Sequence, residues 1–345
     1  MATRRRLKES YRDPPFLRFP EPTVDGSGEE GWKALPNIVD ATLYPKWVVN
    51  NDKGAYLPVY QTANLDATKV TRAVIILQGK QRACWSDWNA ANNALAKATY
   101  NEPAIKRSEI SIMCPVFLSE ADLRAGAAQD GQLLWGKTNW ISGSRNVGPD
   151  SVTGVSSFDA LDALVAYYMD RKLYPNLKVL VVGGHSAGGQ MAQRYAILRK
   201  STDDDDRLHF WIANPGSLCW LTPNRPIPND RCEGADAFKY GLDSNFPAYA
   251  SKNARALGRE GIIKRYHSRT LNYAWGLKDE GNGDTRAQAQ TQGRHHLERG
   301  RNFVAMLEDM GGIPKLTTVD WVPGVSHSGE GMMTSDAGID KLFRY

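Results

Sequence analysis

The aliphatic run Lys178-Val179-Leu180-Val181-Val182-Gly183 breaks into Gly184-His185-Ser186-Ala187-Gly188, and an amphipathic helical pattern from Gln190 to Leu198 follows at once. A buried strand that turns straight into a helix leaves one residue on a sharp bend, and here that residue is a serine. Such a bend needs small neighbours, because the serine occupies strained backbone and bulkier side chains would crowd the turn. Ser186 is therefore expected to project from the sheet edge, with the positive end of the following helix beneath it.

The rest of the chain repeats this alternation. A hairpin is expected where Lys46–Asn50 and Ala55–Tyr60 flank Asn51-Asp52-Lys53-Gly54. Short apolar runs then recur at Arg72–Gln78, Glu109–Pro115, Leu208–Ala213, Thr270–Gly276 and Leu316–Val322, separated by helical stretches such as Phe158–Tyr168. This pattern predicts the α/β class, with a mostly parallel, doubly wound sheet of about eight strands and helices on both faces. Residues 1–31, charged and rich in Pro and Gly, read as an extended arm, and 32–345 as the domain. The Pro-rich stretch 215–257 reads as a cap-like insertion. Its aromatic residues Trp220, Phe238, Tyr240, Phe246 and Tyr249 are expected to shape an apolar acyl or alcohol pocket.

A serine hydroxyl is a weak nucleophile until a base takes its proton, and the base needs a partner that fixes its tautomer. When strand order sets the sequence Ser, acid, His, the six histidines separate clearly. His327 follows the last strand, in Val322-Pro323-Gly324-Val325-Ser326-His327, and is the expected base. His185 is expected to pack or hydrogen-bond locally, and His295 and His296 to be solvated or interhelical. Asp279, closest to the end of the Thr270–Gly276 strand, is the expected acid, with Asp284 as the alternative; the other carboxylate would organise the loop, with Arg286 as partner. An oxyanion hole needs two backbone N–H groups, assigned to Ala187 and, after the Arg72–Gln78 strand, Lys80.

Two other signatures match by spelling and fail by position. Gly131-Gln132-Leu133-Leu134-Trp135-Gly136-Lys137-Thr138 has no strand before it, and bulky side chains where backbone must wrap a phosphate. Gly26-Ser27-Gly28-Glu29-Glu30-Gly31 follows a Pro-rich arm and carries two carboxylates that would repel a pyrophosphate. No cofactor or metal is expected, since Gly281 and Gly283 replace oxygen ligands that a calcium loop would need and the cysteines lack metal-ligand spacing. Cys114 reads as a buried thiol, with Cys219–Cys232 a conceivable disulfide. A net charge of +5 with dispersed Lys and Arg gives no nucleic-acid surface. No run approaches the roughly 20 apolar residues of a membrane span. Together these features point to a cytoplasmic chain.

The elbow, with Ser156-Ser157-Phe158-Asp159-Ala160-Leu161-Asp162 before it and Gly184-His185-Ser186-Ala187-Gly188-Gly189-Gln190 within it, resembles a mostly uncharacterised group of fungal α/β-hydrolases. The similarity extends through Ala213-Asn214-Pro215-Gly216-Ser217, Glu298-Arg299-Gly300-Arg301-Asn302-Phe303 and Val322-Pro323-Gly324-Val325-Ser326-His327. Members of the group often carry His-Gly at the oxyanion loop, where this chain has Gln78-Gly79 and then Arg82. The resemblance implies the α/β-hydrolase fold and a serine triad. The expected activity is hydrolysis of a small-molecule carboxylic ester through an acyl-enzyme. Acyl transfer, or a catalytically silent binding protein on the same fold, are the alternatives.

Overall fold

The computed structural model describes residues 18–344. Its main sheet has eight strands: β1 (Ala41–Asn50), β2 (Ala55–Thr62), β3 (Arg72–Leu77), β4 (Ile110–Pro115), β5 (Val179–His185), β6 (Leu208–Ala213), β7 (Thr270–Gly276) and β8 (Thr317–Val322). Their spatial order is β8-β7-β6-β5-β3-β4-β2-β1. Neighbours from β4 through β8 run parallel, whereas β2 lies antiparallel to both β4 and β1. The Asn51–Gly54 turn closes the β1–β2 hairpin, and Gly54 there takes a positive φ of 61°. Edge strand β1 is bulged between Tyr44 and Trp47, around Pro45, which has no N–H to give a ladder.

Five helices complete the frame: α1 (Cys84–Asn101), α2 (Ser157–Met169), α3 (Ala187–Leu198), α4 (Ser251–His267, kinked at Gly258) and α5 (His296–Asp309). Strand side chains alternate between two cores. Ala73, Ile75, Leu77, Leu180 and Val182 pack under α2, α3, α4 and α5, while Val74, Ile76 and Val181 pack under α1 and the C-terminal segment. Covering both faces is what makes the central strands continuously apolar, each buried side chain contributing about 1.5–3 kcal/mol. Ser156 and Asp159 form a reciprocal capping box that starts α2.

The cysteine expectations need correction. Cys114 is paired with Cys84 across a Cα–Cα distance of 6.2 Å, because the start of α1 lies over the end of β4. Cys219 and Cys232 remain thiols, Cys219 buried with its Sγ 3.4 Å from the Gly241 carbonyl. Gly26–Ser27 pairs antiparallel with Gly31–Trp32, and Leu134–Trp135 forms a two-residue strand beside Leu118–Ser119; neither rejected nucleotide signature opens an α-helix, Thr138 leading only into one 3₁₀ turn at Asn139–Ser142. Residues 1–17 of the arm lie outside the described residues; Phe19 beyond them bonds Asn93 of α1 through its amide. No helix among the described residues is long and apolar enough to cross a membrane.

Candidate active site

Ser186 sits between β5 and α3 with φ 59° and ψ −117°, a conformation unfavourable for any residue with a Cβ. The flanking glycines explain how the chain tolerates it. A Cβ on Gly188 would stand 2.2 Å from the Leu77 carbonyl oxygen, and one on Gly184 2.6 Å from the same atom. Helix α3 therefore passes over the end of β3 at a distance only glycine permits. The Ser186 amide is held by the Ala213 carbonyl at 2.9 Å, locking the bend to β6.

The loops after β7 and β8 bring two more of the expected residues here. His327 Nε2 lies 2.9 Å from Ser186 Oγ, and His327 Nδ1 lies 2.7 Å from Asp279 Oδ2. Asp279 is fully buried; its amide donates to Gly276, and its carbonyl accepts the Leu297 amide at the start of α5. Burial alone would raise its pKa, but contacts with His296 and His327 outweigh that and hold it well below the usual carboxylate range.

His296 corrects the expected solvated or interhelical role. It is buried, its Nδ1 stands 3.1 Å from Asp279 Oδ1 though off the hydrogen-bonding direction, and its ring stacks on His327 at 4.1 Å. Burial is the main cause lowering its pKa. On the other side His185 lies 4.4 Å from the His327 ring, so three imidazoles form one pile. Burial, and then His327, lower the His185 pKa to about 3, so it is neutral. Asn214 is a further residue the sequence reading did not single out. Its side chain accepts from the Gly276 amide at 2.8 Å, donates to the Ser326 carbonyl at 3.3 Å and lies 3.3 Å from His185 Nε2. It thereby ties the end of β6 to both loops that carry Asp279 and His327.

Asp284 faces elsewhere. Its carboxylate accepts from Arg286 Nε at 2.8 Å, the Tyr240 hydroxyl at 2.9 Å and the Ser217 hydroxyl at 3.1 Å. Burial raises its pKa, and Arg286 and its other donors more than reverse that.

The loop Gly79–Arg82 after β3, expected to supply an oxyanion donor, is closed by the Arg82 amide on the Gly79 carbonyl at 3.0 Å. The Gly79 amide donates to Asp87 Oδ2 at 2.9 Å, and Lys80 and Ala187 line one cavity with Ser186. Gln78 exchanges two hydrogen bonds with the Phe117 backbone. Arg82 makes a buried bidentate pair with Asp122 at 2.7 and 3.0 Å. These contacts anchor both ends of the loop.

The cavity before Ser186 has a volume of about 580 Å³. Most of its lining residues are polar or charged by type, with Ile141 and Ala187 among them, and none of Trp220, Phe238, Tyr240, Phe246 and Tyr249 belongs to it. Trp220 packs edge-on against Phe303, Phe238 against Phe246, and the Tyr249 hydroxyl bonds Asp162. The expected apolar pocket is thus corrected: the insertion spends its aromatics on packing within itself and against the domain, and offers the cavity Gly216 and Lys239 instead.

Asp279, His296 and His327 offer ligand atoms within 4.8 Å of one another. Two ligands of one zinc stand roughly 3.3 Å apart at tetrahedral angles. The 2.7 Å contact between Asp279 and His327 is closer, the spacing of a shared proton.

No family model matches the chain, and no curated protein does. Solved structures do. A poly(aspartic acid) hydrolase from Sphingomonas sp. KT-1 is similar at TM-score 0.55 and 20% identity, over 85% of this chain and 94% of that one. A poly(3-hydroxybutyrate) depolymerase from Bordetella parapertussis is similar at TM-score 0.55 and 19% identity, over 87% of each chain. The fold is that of the α/β-hydrolases. In this α/β-hydrolase fold Ser186, Asp279 and His327 stand after β5, β7 and β8, at the carboxyl ends of parallel strands, where such sheets gather ligands.

Proposed function

We propose that this chain is a serine hydrolase that cleaves a carboxylic ester through an acyl-enzyme. Ser186 Oγ attacks the ester carbonyl while His327 Nε2 takes its proton. The amides of Ala187 and Lys80 hold the oxyanion. The carbon–oxygen bond to the alcohol then breaks, and His327 returns the proton to that leaving oxygen. Water repeats the sequence on the acyl-enzyme, giving up a proton to His327, and the acid departs as Ser186 regains its hydrogen. Asp279 fixes the His327 tautomer and stabilises the imidazolium.

The observation that carries this reading is the continuous line from Ser186 Oγ through His327 at 2.9 Å to Asp279 at 2.7 Å, built on a strained elbow. The names of the two similar structures, a hydrolase and a depolymerase, lie in the same direction. A fluorophosphonate probe tests it: Ser186 should be labelled in folded protein, and Ser186→Ala should abolish both labelling and ester turnover. An unlabelled Ser186 in folded protein would defeat the proposal. Labelling without turnover of short p-nitrophenyl esters would instead indicate transfer of the acyl group to an acceptor other than water.

A further inference from the structure

We propose that the Ser186 cavity selects anionic esters, with a substrate carboxylate seated on Lys239 in front of the buried Arg194; this rests on the serine-hydrolase reading. The lining carries four cationic side chains, Lys80, Arg194, Lys239 and Arg286, against one carboxylate, Asp284. That carboxylate is already occupied by Arg286, Tyr240 and Ser217.

Arg194 is the unusual member. It is fully buried on α3, two turns beyond Ser186, and its Nη2 bonds only neutral groups, Gln190 Oε1 at 3.0 Å and Ser217 Oγ at 3.1 Å. Its Nε has no partner, and no carboxylate among the described residues pairs with it. Asp284 acts on it only through the Ser217 hydroxyl, which lies 3.1 Å from each, so Arg194 lacks a direct ion pair, a deficit that an incoming anion reduces. Lys239 shares the deficit: the half-buried ammonium touches only the Tyr240 ring, 5.7 Å from its centroid. Burial first, then Arg194 and Arg286, lower its pKa to about 7. Two desolvated cations, one of which lowers the pKa of the other, beside the nucleophile form a receptor for negative charge.

Position sets the length of the substrate. Arg194 follows Ser186 by eight residues, about 12 Å along a helix axis, and helical side chains lean back toward the N-terminus by about a turn. The carboxylate should therefore lie roughly three to five methylenes from the scissile carbonyl.

Two matched ester pairs test this. Monomethyl adipate against methyl hexanoate places the charge on the acyl side, and 4-acetoxybutyrate against butyl acetate places it on the alcohol side. In one pair kcat/KM should favour the anion by about tenfold or more, and Lys239→Gln and Arg194→Gln should each cut that ratio about tenfold, or 1.4 kcal/mol. Lys239→Gln serves where the buried Arg194 variant does not fold. Equal or faster turnover of the neutral ester in both pairs, or an unchanged ratio in folded variants, overturns the proposal while leaving ester hydrolysis intact. If Ser186 is unlabelled by fluorophosphonate and no ester turns over, hydrolysis itself fails, and calorimetric titration with adipate reads the cavity alone. Adipate binding that weakens in Lys239→Gln supports the anion site, and no binding removes it.

Discussion

Asp279 and Asp284 lie on one loop after β7, both buried and both with pKa values pulled below the ordinary range against the cost of burial. Their partners differ. Asp279 meets two imidazoles, His327 at 2.7 Å and His296 at 3.1 Å, whereas Asp284 meets a guanidinium and two hydroxyls. An imidazole gives and takes protons near neutral pH; a guanidinium does not. The same residue type with the same direction of shift therefore meets groups that can exchange a proton in one place and a fixed charge that braces a loop in the other. A perturbed carboxylate marks a site only when its partner can change charge during the reaction.

Four experiments break or sharpen that contrast. Asp279→Asn should cut kcat by roughly 10³–10⁴, since the imidazole loses the group that sets its tautomer. An equal collapse in Asp284→Asn, with Asp279→Asn near wild type, would reverse the two assignments. Asp284→Asn should instead cost about 1–3 kcal/mol of stability in urea unfolding, through donors left poorly matched around a buried amide. The sign with pH follows from the lowered pKa. Asp284 contributes its ionic stabilisation above the unfolded value of about 4, and loses it as pH falls through the folded one, so the variant should lack part of the wild-type acid sensitivity.

His296→Phe keeps the stack on His327 but removes the contact with Asp279 Oδ1, and kcat should drop roughly tenfold with little change in KM. A rise in KM alone would make His296 a substrate contact rather than a positioning residue. The smallest effect concerns Lys239, whose pKa is lowered to about 7. Preference for the anionic ester should be strongest below that pH and decline several-fold as the ammonium deprotonates above it. Arg194 keeps its charge through this range, Asp284 stays ionised, and Tyr240, pushed up by burial and Asp284, stays neutral. A ratio that holds constant from pH 6 to 9 would place the preference on the arginines alone.

The elbow was legible because its information is local. Strand, glycine, serine, glycine and helix are consecutive, and the close pass of α3 over β3 is written in Gly184 and Gly188. Asp279 and His327 were legible as strand-end residues, since parallel strands present their carboxyl ends on one edge. His296 was not, because an amphipathic helix says which face is buried but not what meets it. Asn214 carried no signal beyond its place after a strand, yet it joins three loop ends. The insertion misled for a related reason: aromatic residues read the same whether they line a cavity or fill one.

The sequence by itself determined the strand–helix alternation, the strained serine and the order of the reactive side chains, all properties of neighbours along the chain. Only the tertiary structure decided that Cys84 meets Cys114, that three imidazoles stack, and that the cavity before Ser186 is cationic rather than apolar. Those are contacts between distant segments, and burial and electrostatics act through distance in space, which residue order does not specify.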